Sequence, residues 1–301
     1  MDINYELYKV FYYVAKTLSF SEAASELFIS QSAVSQSIKV LEKRLNQILF
    51  VRSTKKVGLT KEGELLFKHI EPAINLICRG ENQLMESFKG AESQLRIGAS
   101  DTICRYFLVP YLSNFHNKYP DVHIKVKNGT SLQCVDMLEN NEVDLIVVNT
   151  PNSSLTNLMN VKPVRDFKDV FIAKRGAYNF KENPVTLEEL QNYPILMLDK
   201  HSTTSEFLHK IFLQNSIELV PEIELSSNDL LIDLAKIGLG IAFVPDFCVD
   251  ELSHEELVEI NTTEEMPTRK LVVAYNDKVP LSDAAMYFAD ILGENMTKTI
   301  Q

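Results

Sequence analysis

Gln31, Ser32, Ser35, Gln36, Lys39 and Lys43 stand at spacings that place them along one face of a helix. Short hydroxyl and amide side chains donate to and accept from base edges, and a glutamine can grip adenine through two hydrogen bonds. Lys39, Lys43 and the neighbouring Arg44 would meet phosphates, which positions a helix without reading sequence. A merely solvated helix more usually mixes long side chains of both signs at i and i+4. A second basic group, Arg52, Lys55 and Lys56, follows shortly after and would reach a backbone or a minor groove. A different chemistry collects downstream in Ser100-Asp101-Thr102, Asn128-Gly129-Thr130-Ser131, Ser202-Thr203-Thr204 and Ser226-Ser227-Asn228. Each cluster alone reads as a helix cap. Four of them between a strand and a helix also suit a shared polar cleft, because helix N-termini favour anionic groups such as carboxylates. Asp101 opposes an anion there unless it points away, with Arg105 or Lys127 available to offset it.

Catalytic signatures are missing. The chain contains no GxSxG, GxxxxGK[ST], HExxH or GxGxxG, and its six histidines show no metal-ligand spacing. Gly238-Leu239-Gly240 falls between a helix and a strand, the wrong order for a dinucleotide loop. The four cysteines, Cys78, Cys104, Cys134 and Cys248, are far apart and read as buried free thiols in a reducing cytosol. No basic stretch followed by an apolar run opens the chain, and no apolar run reaches the roughly 18 residues of a membrane span. The expectation is a cytoplasmic protein without enzyme activity, metal, cofactor or membrane contact.

The basic face must be carried by a small helical module. Leu7, Val10, Phe11 and Val14 predict a helix over 4–17, and Ser21 is a plausible cap for a short second helix over 22–28. Ala23 and Ala24 let another helix approach. After a tight connection at Ile29, Ser30 caps a third helix to about Leu45, with Val34, Ile38, Leu41 and Leu45 as its apolar stripe. Short apolar runs at 49–52 and 57–60 flank a basic tip and predict a hairpin wing. Thr60 would cap a long helix whose residues Leu66, Ile70, Ala73, Ile77, Leu84 and Phe88 form a heptad-like seam. That seam serves either the core of its own chain or a partner helix, and since no other element of the small module looks free to cover it, dimerisation is expected. Pro72 should bend this helix or shorten it at Glu71.

From Gln94 onward short apolar strands alternate with helices, as in open α/β sheets with ligands beyond the carboxyl ends of their strands. Strands are predicted at 95–98, 122–126, 144–148, 170–173, 195–198, 222–225, 240–244 and 271–275. Helices are predicted at 102–119, 131–140, 205–214, 230–237 and 282–292. So long a stretch suggests two subdomains.

The run from Phe20-Ser21-Glu22-Ala23-Ala24 through Ser30-Gln31-Ser32-Ala33-Val34-Ser35 to Leu49-Phe50-Val51-Arg52 and Leu59-Thr60-Lys61-Glu62-Gly63 resembles the LysR-type transcriptional regulators. The likeness extends, more thinly, through Tyr119-Pro120-Asp121-Val122 and Gly238-Leu239-Gly240-Ile241-Ala242-Phe243-Val244-Pro245. It implies an N-terminal all-α winged helix-turn-helix over 1–61, a linker and dimerisation helix over 62–90, and an α/β effector domain over 91–301. That domain would comprise two subdomains, 91–161 with 267–301 and the inserted 162–266, resembling periplasmic binding proteins. The resemblance implies base contacts for Gln31, Ser32, Ser35 and Gln36, and a wing role for Arg52. It makes Ser100, Thr102, Thr130, Ser131, Ser202 and Thr204 effector ligands between the subdomains. Ser32 replaces the proline of most members and Gln36 the arginine of many. Peroxide-sensing members use two cysteines in the inserted subdomain, where this chain has Cys248 alone.

Charge follows the same division. Residues 1–90 carry twelve Lys and Arg against ten Asp and Glu, whereas the remainder nets −13 of the total −11. Residues 30–61 hold seven cations and Glu42 as their one acid. The chain therefore reads as a promoter-binding regulator, a dimer or tetramer, answering to a small polar or anionic co-inducer. The competing reading is a cytoplasmic small-molecule-binding module with an N-terminal dimerisation domain. The uncharged Gln31/Ser32/Ser35/Gln36 face separates the two, since dimerisation alone does not require it.

Overall fold

The computed structural model describes residues 3–52, 57–89, 94–157, 159–180, 184–249 and 256–293, and the backbone alone for 52, 79, 82, 83 and 85–89. The chain divides into two units, Met1–Ala91 and Glu92–Gln301. Among the described residues, no helix is long and apolar enough to cross a membrane.

The first unit opens with α1 (Tyr5–Thr17), capped by Asn4, whose Oδ1 accepts from the Glu6 N–H at 3.0 Å. Helix α2 (Phe20–Glu26) starts earlier than Ser21 suggested. Ser19 is extended, and its hydroxyl takes the Glu22 N–H at 3.2 Å, so Phe20 already belongs to the helix and stacks edge-on against Phe50. The turn between α2 and α3 (Gln31–Leu45) places Phe28 at φ 55, and Ser30 caps α3 by accepting from the Ala33 N–H at 3.2 Å. Val34, Ile38 and Leu41 are buried against Phe11, Val14 and Ala23.

Strands β1 (Phe50–Arg52) and β2 (Val57–Leu59) form the antiparallel wing. Glu42 is turned away from the basic face, its Oε1 accepting from the Leu49 N–H at 2.9 Å. Thr60 caps α4 (Lys61–Lys89) by accepting from the Gly63 N–H at 3.0 Å. A β-carbon on Gly63 would lie 2.2 Å from the Leu49 carbonyl oxygen, so only glycine lets this helix pass the wing. Helix α4 continues through Pro72 to Lys89, so of the expected bend or shortening the shortening does not occur; proline removes only a single N–H from the helix. The seam divides: Leu66, Phe67 and Ile70 pack on the unit's own core, whereas Ile77 and Leu84 are 56% and 63% exposed. Ala73 is exposed too, and the side chain of Phe88 lies outside the described residues.

The second unit holds two five-stranded sheets. The first is built from β3 (Gln94–Ala99), β4 (His123–Asn128), β5 (Leu145–Thr150), β6 (Met159–Phe167) and β12 (Arg269–Asn276), in the order β4-β3-β5-β12-β6. Helices α5 (Asp101–Ile103), α6 (Val109–Lys118), α7 (Ser131–Glu139) and α11 (Asp283–Gly293) accompany it. The second comprises β7 (Asp169–Lys174), β8 (Ile195–Leu198), β9 (Ile223–Leu225), β10 (Ile241–Pro245) and β11 (Leu257–Ile260), in the order β11-β7-β10-β8-β9. Its helices are α8 (Leu187–Leu190), α9 (Thr203–Gln214) and α10 (Asn228–Lys236).

The passage between sheets falls at Lys168 rather than between 161 and 162, because β6 pairs with β12 from Met159↔Asn276 to Phe167↔Arg269. Pro163 hides this strand in the sequence; it sits at a register shift on the sheet edge, where a missing N–H is tolerated. The single helix expected over 102–119 is three segments, with a π turn at Cys104–Leu108. Pro110 has no N–H to return to the Tyr106 carbonyl, and the Val109 N–H reaches back five residues to Cys104.

Candidate functional site

On α3, Gln31, Ser32, Gln36 and Lys39 are exposed and Ser35 is half-buried, all clear of the stripe that faces the core. Ser32 Oγ lies 2.9 Å from Ser30 Oγ, which ties this side chain to the cap. Lys43 and Arg44 are exposed in the last turn, beside a C-cap at Asn46 in the left-handed region. With Glu42 engaged by the wing, no carboxylate competes on this surface among the described residues of 30–61. The backbone of Arg52 pairs with Val57 in the wing, its side chain is not described, and Lys55 and Lys56 lie outside the described residues.

In the second unit a cavity of about 290 Å³ opens between the two sheets. Its polar wall comes from four helix starts, each after a strand. Ser100 follows β3 and accepts from the Ile103 N–H at 3.3 Å; Thr130 follows β4 and forms a capping box with Gln133. Ser202 follows β8 and accepts from the Ser205 N–H at 3.1 Å; Ser227 follows β9 and accepts from the Leu230 N–H at 3.4 Å. The clusters are thus both caps and cavity wall. A hydroxyl whose oxygen accepts from the backbone keeps its proton for a ligand.

All six expected residues, Ser100, Thr102, Thr130, Ser131, Ser202 and Thr204, line this cavity. Ser131 Oγ accepts from the Asn149 N–H at 3.2 Å, and Thr102 Oγ1 accepts from Asn228 Nδ2 at 3.0 Å, a bond that spans the cleft. Ser202 differs from the rest, since its hydroxyl also donates to the Asp199 carbonyl at 2.9 Å and has no proton left to offer. Residues outside that set also line it, among them Thr203, Asn149, Asn228 and Phe247. The Oδ1 atoms of Asn149 and Asn228 are buried without a hydrogen-bond partner.

The charges around the cavity depart from expectation. Asp101 and Asp199 line it, while Arg105 and Lys127 do not; Arg105 pairs with Asp229 at 3.2 Å and Lys127 with Glu142. Tyr106 also donates to Asp229, and burial followed by this bond raises its pKa. Behind the wall lies Arg269. Its Nη1 donates to Asp169 Oδ2 at 2.6 Å and Thr204 Oγ1 at 3.0 Å, its Nη2 to Thr203 Oγ1 at 3.3 Å, and its Nε to the Thr150 carbonyl at 2.9 Å. Burial pushes the Asp169 carboxyl up, against the opposing pull of Arg269. No sequence signal marked this pair, whose members stand a hundred positions apart.

All four cysteines are free, but only Cys134 and Cys248 are buried, and Cys78 is exposed on α4. Burial pushes the Cys104 thiol up to about 11 and Cys134 up to about 12, which keeps both protonated and poor nucleophiles.

Two family models match the chain. One, described as a bacterial regulatory helix-turn-helix protein of the lysR family, covers residues 5–64; the other, the LysR substrate binding domain, covers 89–297. A probable RuBisCO transcriptional regulator of Phaeodactylum tricornutum is 30% identical over 93% of this chain and 92% of its own. Among solved structures, full-length CbnR complexed with its target DNA superposes with a TM-score of 0.65 at 15% identity, over 97% of this chain and 99% of that one. The regulatory domain of Synechocystis CcmR in complex with 2-PG gives 0.61 at 25% identity, over 68% of this chain and 97% of that one.

Proposed function

The chain belongs to the LysR family of transcriptional regulators, and on that premise we propose which of its residues meet DNA and which meet its effector. The start of α3 enters the major groove, with Gln31, Ser32, Ser35 and Gln36 toward base edges and Lys39 toward phosphate. Arg52, Lys55 and Lys56 add contacts to the DNA backbone. Two copies join through the exposed half of α4 around Ile77 and Leu84, as a homodimer or a pair of dimers.

The effector is a small polar or anionic metabolite held between the two sheets of the second unit. Ser100, Thr102, Thr130, Ser131 and Thr204 donate to it, and Ser202 shapes the wall. Neither metal nor cofactor is part of the mechanism, and the protein works in the cytoplasm. One observation carries this reading: four capped helix starts, two from each sheet, converge on one cavity. A ligand touching both sheets favours one relative arrangement of them, and the spacing of the paired DNA readers follows.

The test is a thermal-shift screen of small carboxylates and phosphates on the intact chain, with 2-PG, the ligand of the Synechocystis relative, among them. A true effector raises the melting temperature of the natural protein and shifts Thr130→Val and Thr204→Val far less. Equal shifts in all three proteins would place the ligand elsewhere.

A further inference from the structure

The wall of the cavity presents an electrostatic problem. Its described lining carries the carboxylates of Asp101 and Asp199 and no lysine, arginine or histidine. Helix starts offer partial charge only, and both carboxylates work against an anion. Compensation lies one layer deeper. Arg269, the first residue of β12, is 1% exposed, and its guanidinium is held between the rings of Phe167 and Phe207 at 5.2 and 4.7 Å. From there it donates to the hydroxyls of Thr204 and Thr203, two residues that line the cavity.

We propose that Arg269 is the positioning residue and hidden cation of the effector site, aiming the Thr203 and Thr204 hydroxyl protons into the cavity and drawing an anionic group toward them. This rests on the anion-binding reading of the cleft given above. By occupying one acceptor position on each threonine oxygen, the guanidinium leaves each hydroxyl proton to the cavity side. Asp169 is the competitor. Its Oδ2 holds Arg269 at 2.6 Å in a site that is 0% exposed, while its Oδ1 has no hydrogen-bond partner. Asp169 therefore cancels much of the charge an anion would feel, in surroundings where water screens little. Bonds from Arg269 also reach the Thr150 carbonyl on the first sheet and Asp169 on the second, so an occupant of the cavity acts where the chain crosses between them.

Inorganic phosphate is the probe, titrated by calorimetry into the intact chain at constant ionic strength. Arg269→Gln should weaken phosphate binding about tenfold, as expected for a lost charge-assisted hydrogen-bond relay. Thr204→Val should cost a similar factor, and the double variant should lose little beyond either single one, because both interrupt the same relay. Asp169→Asn, which releases Arg269 from its counter-ion, should instead tighten phosphate binding several-fold. That arm stands even if Arg269→Gln fails to fold. A purely structural role for Arg269 predicts that the two losses multiply and that Asp169→Asn weakens binding or leaves it unchanged; either result overturns the proposal. Phosphate affinity lowered by Thr204→Val but untouched by Arg269→Gln overturns it while sparing the site. No phosphate binding by the natural protein overturns both this proposal and the anionic reading of the cleft.

Discussion

Most residues that matter here do two jobs at once. Ser100, Thr130 and Ser227 cap helices through their oxygens and also line the cavity, so removing the hydroxyl should cost the helix start and, on the proposed reading, effector binding too. At the DNA face the division is cleaner. Gln31→Ala or Ser35→Ala should weaken binding to a selected operator by about 1–3 kcal/mol and relax preference at one base position. Lys39→Ala should weaken binding to all DNA alike and reduce the slope of log affinity against log salt by about one. Anisotropy titrations over a range of salt separate these outcomes. Thiol reactivity offers a further test, since burial raises Cys104 to about 11 and Cys134 to about 12, and Cys248 also rises on burial. Iodoacetamide should therefore leave Cys134 and Cys248 largely unlabelled in the folded protein, and mass spectrometry that found Cys134 labelled as fast as in the unfolded chain would contradict the packing. Apart from Ser19, for which Ser21 was expected, the hydroxyl caps were legible because capping is a local event, read from a hydroxyl before a helix. Arg269 was not. Its meaning depends on Asp169, Thr203 and Thr204, which only the folded crossing between sheets brings to it.

Among the elements, the apolar periodicities of α1 and α3 located both helices, since an amphipathic stripe needs little beyond itself to be recognised. Strand β6 escaped because Pro163 breaks its pattern, and a proline is harmless only once the strand is known to lie on an edge. Helix α4 teaches a related lesson. Its seam runs evenly along the sequence, yet Leu66 and Ile70 serve the core of their own unit while Ile77 and Leu84 stay exposed. Spacing identifies an apolar face and is silent about what covers it. The two halves should respond differently to charge. Ile77→Asp is expected to dissociate the oligomer in sedimentation with the first unit still folded, whereas Leu66→Asp should lower its melting temperature. Gly63→Ala should destabilise the same unit by about 1–3 kcal/mol, as its β-carbon would strike the Leu49 carbonyl.

The molecule as a whole carries −11, a figure that describes neither of its parts. The first ninety residues are slightly basic, with seven of their twelve cations between positions 30 and 61, and the body that holds the cavity is strongly acidic. Such a body repels the duplex, which favours approach through the reading face and limits unspecific contact. The central claim is that one chain reads bases with α3 and alters that reading when its cleft is filled. Footprinting the intact protein on operator DNA selected from random sequence, with and without the compound found by the thermal-shift screen, tests it most directly. The account predicts a protected segment that Gln31→Ala abolishes and whose extent changes with the compound in the natural protein but not in Thr204→Val. Protection that survives Gln31→Ala, or that ignores the compound in every variant, would contradict it.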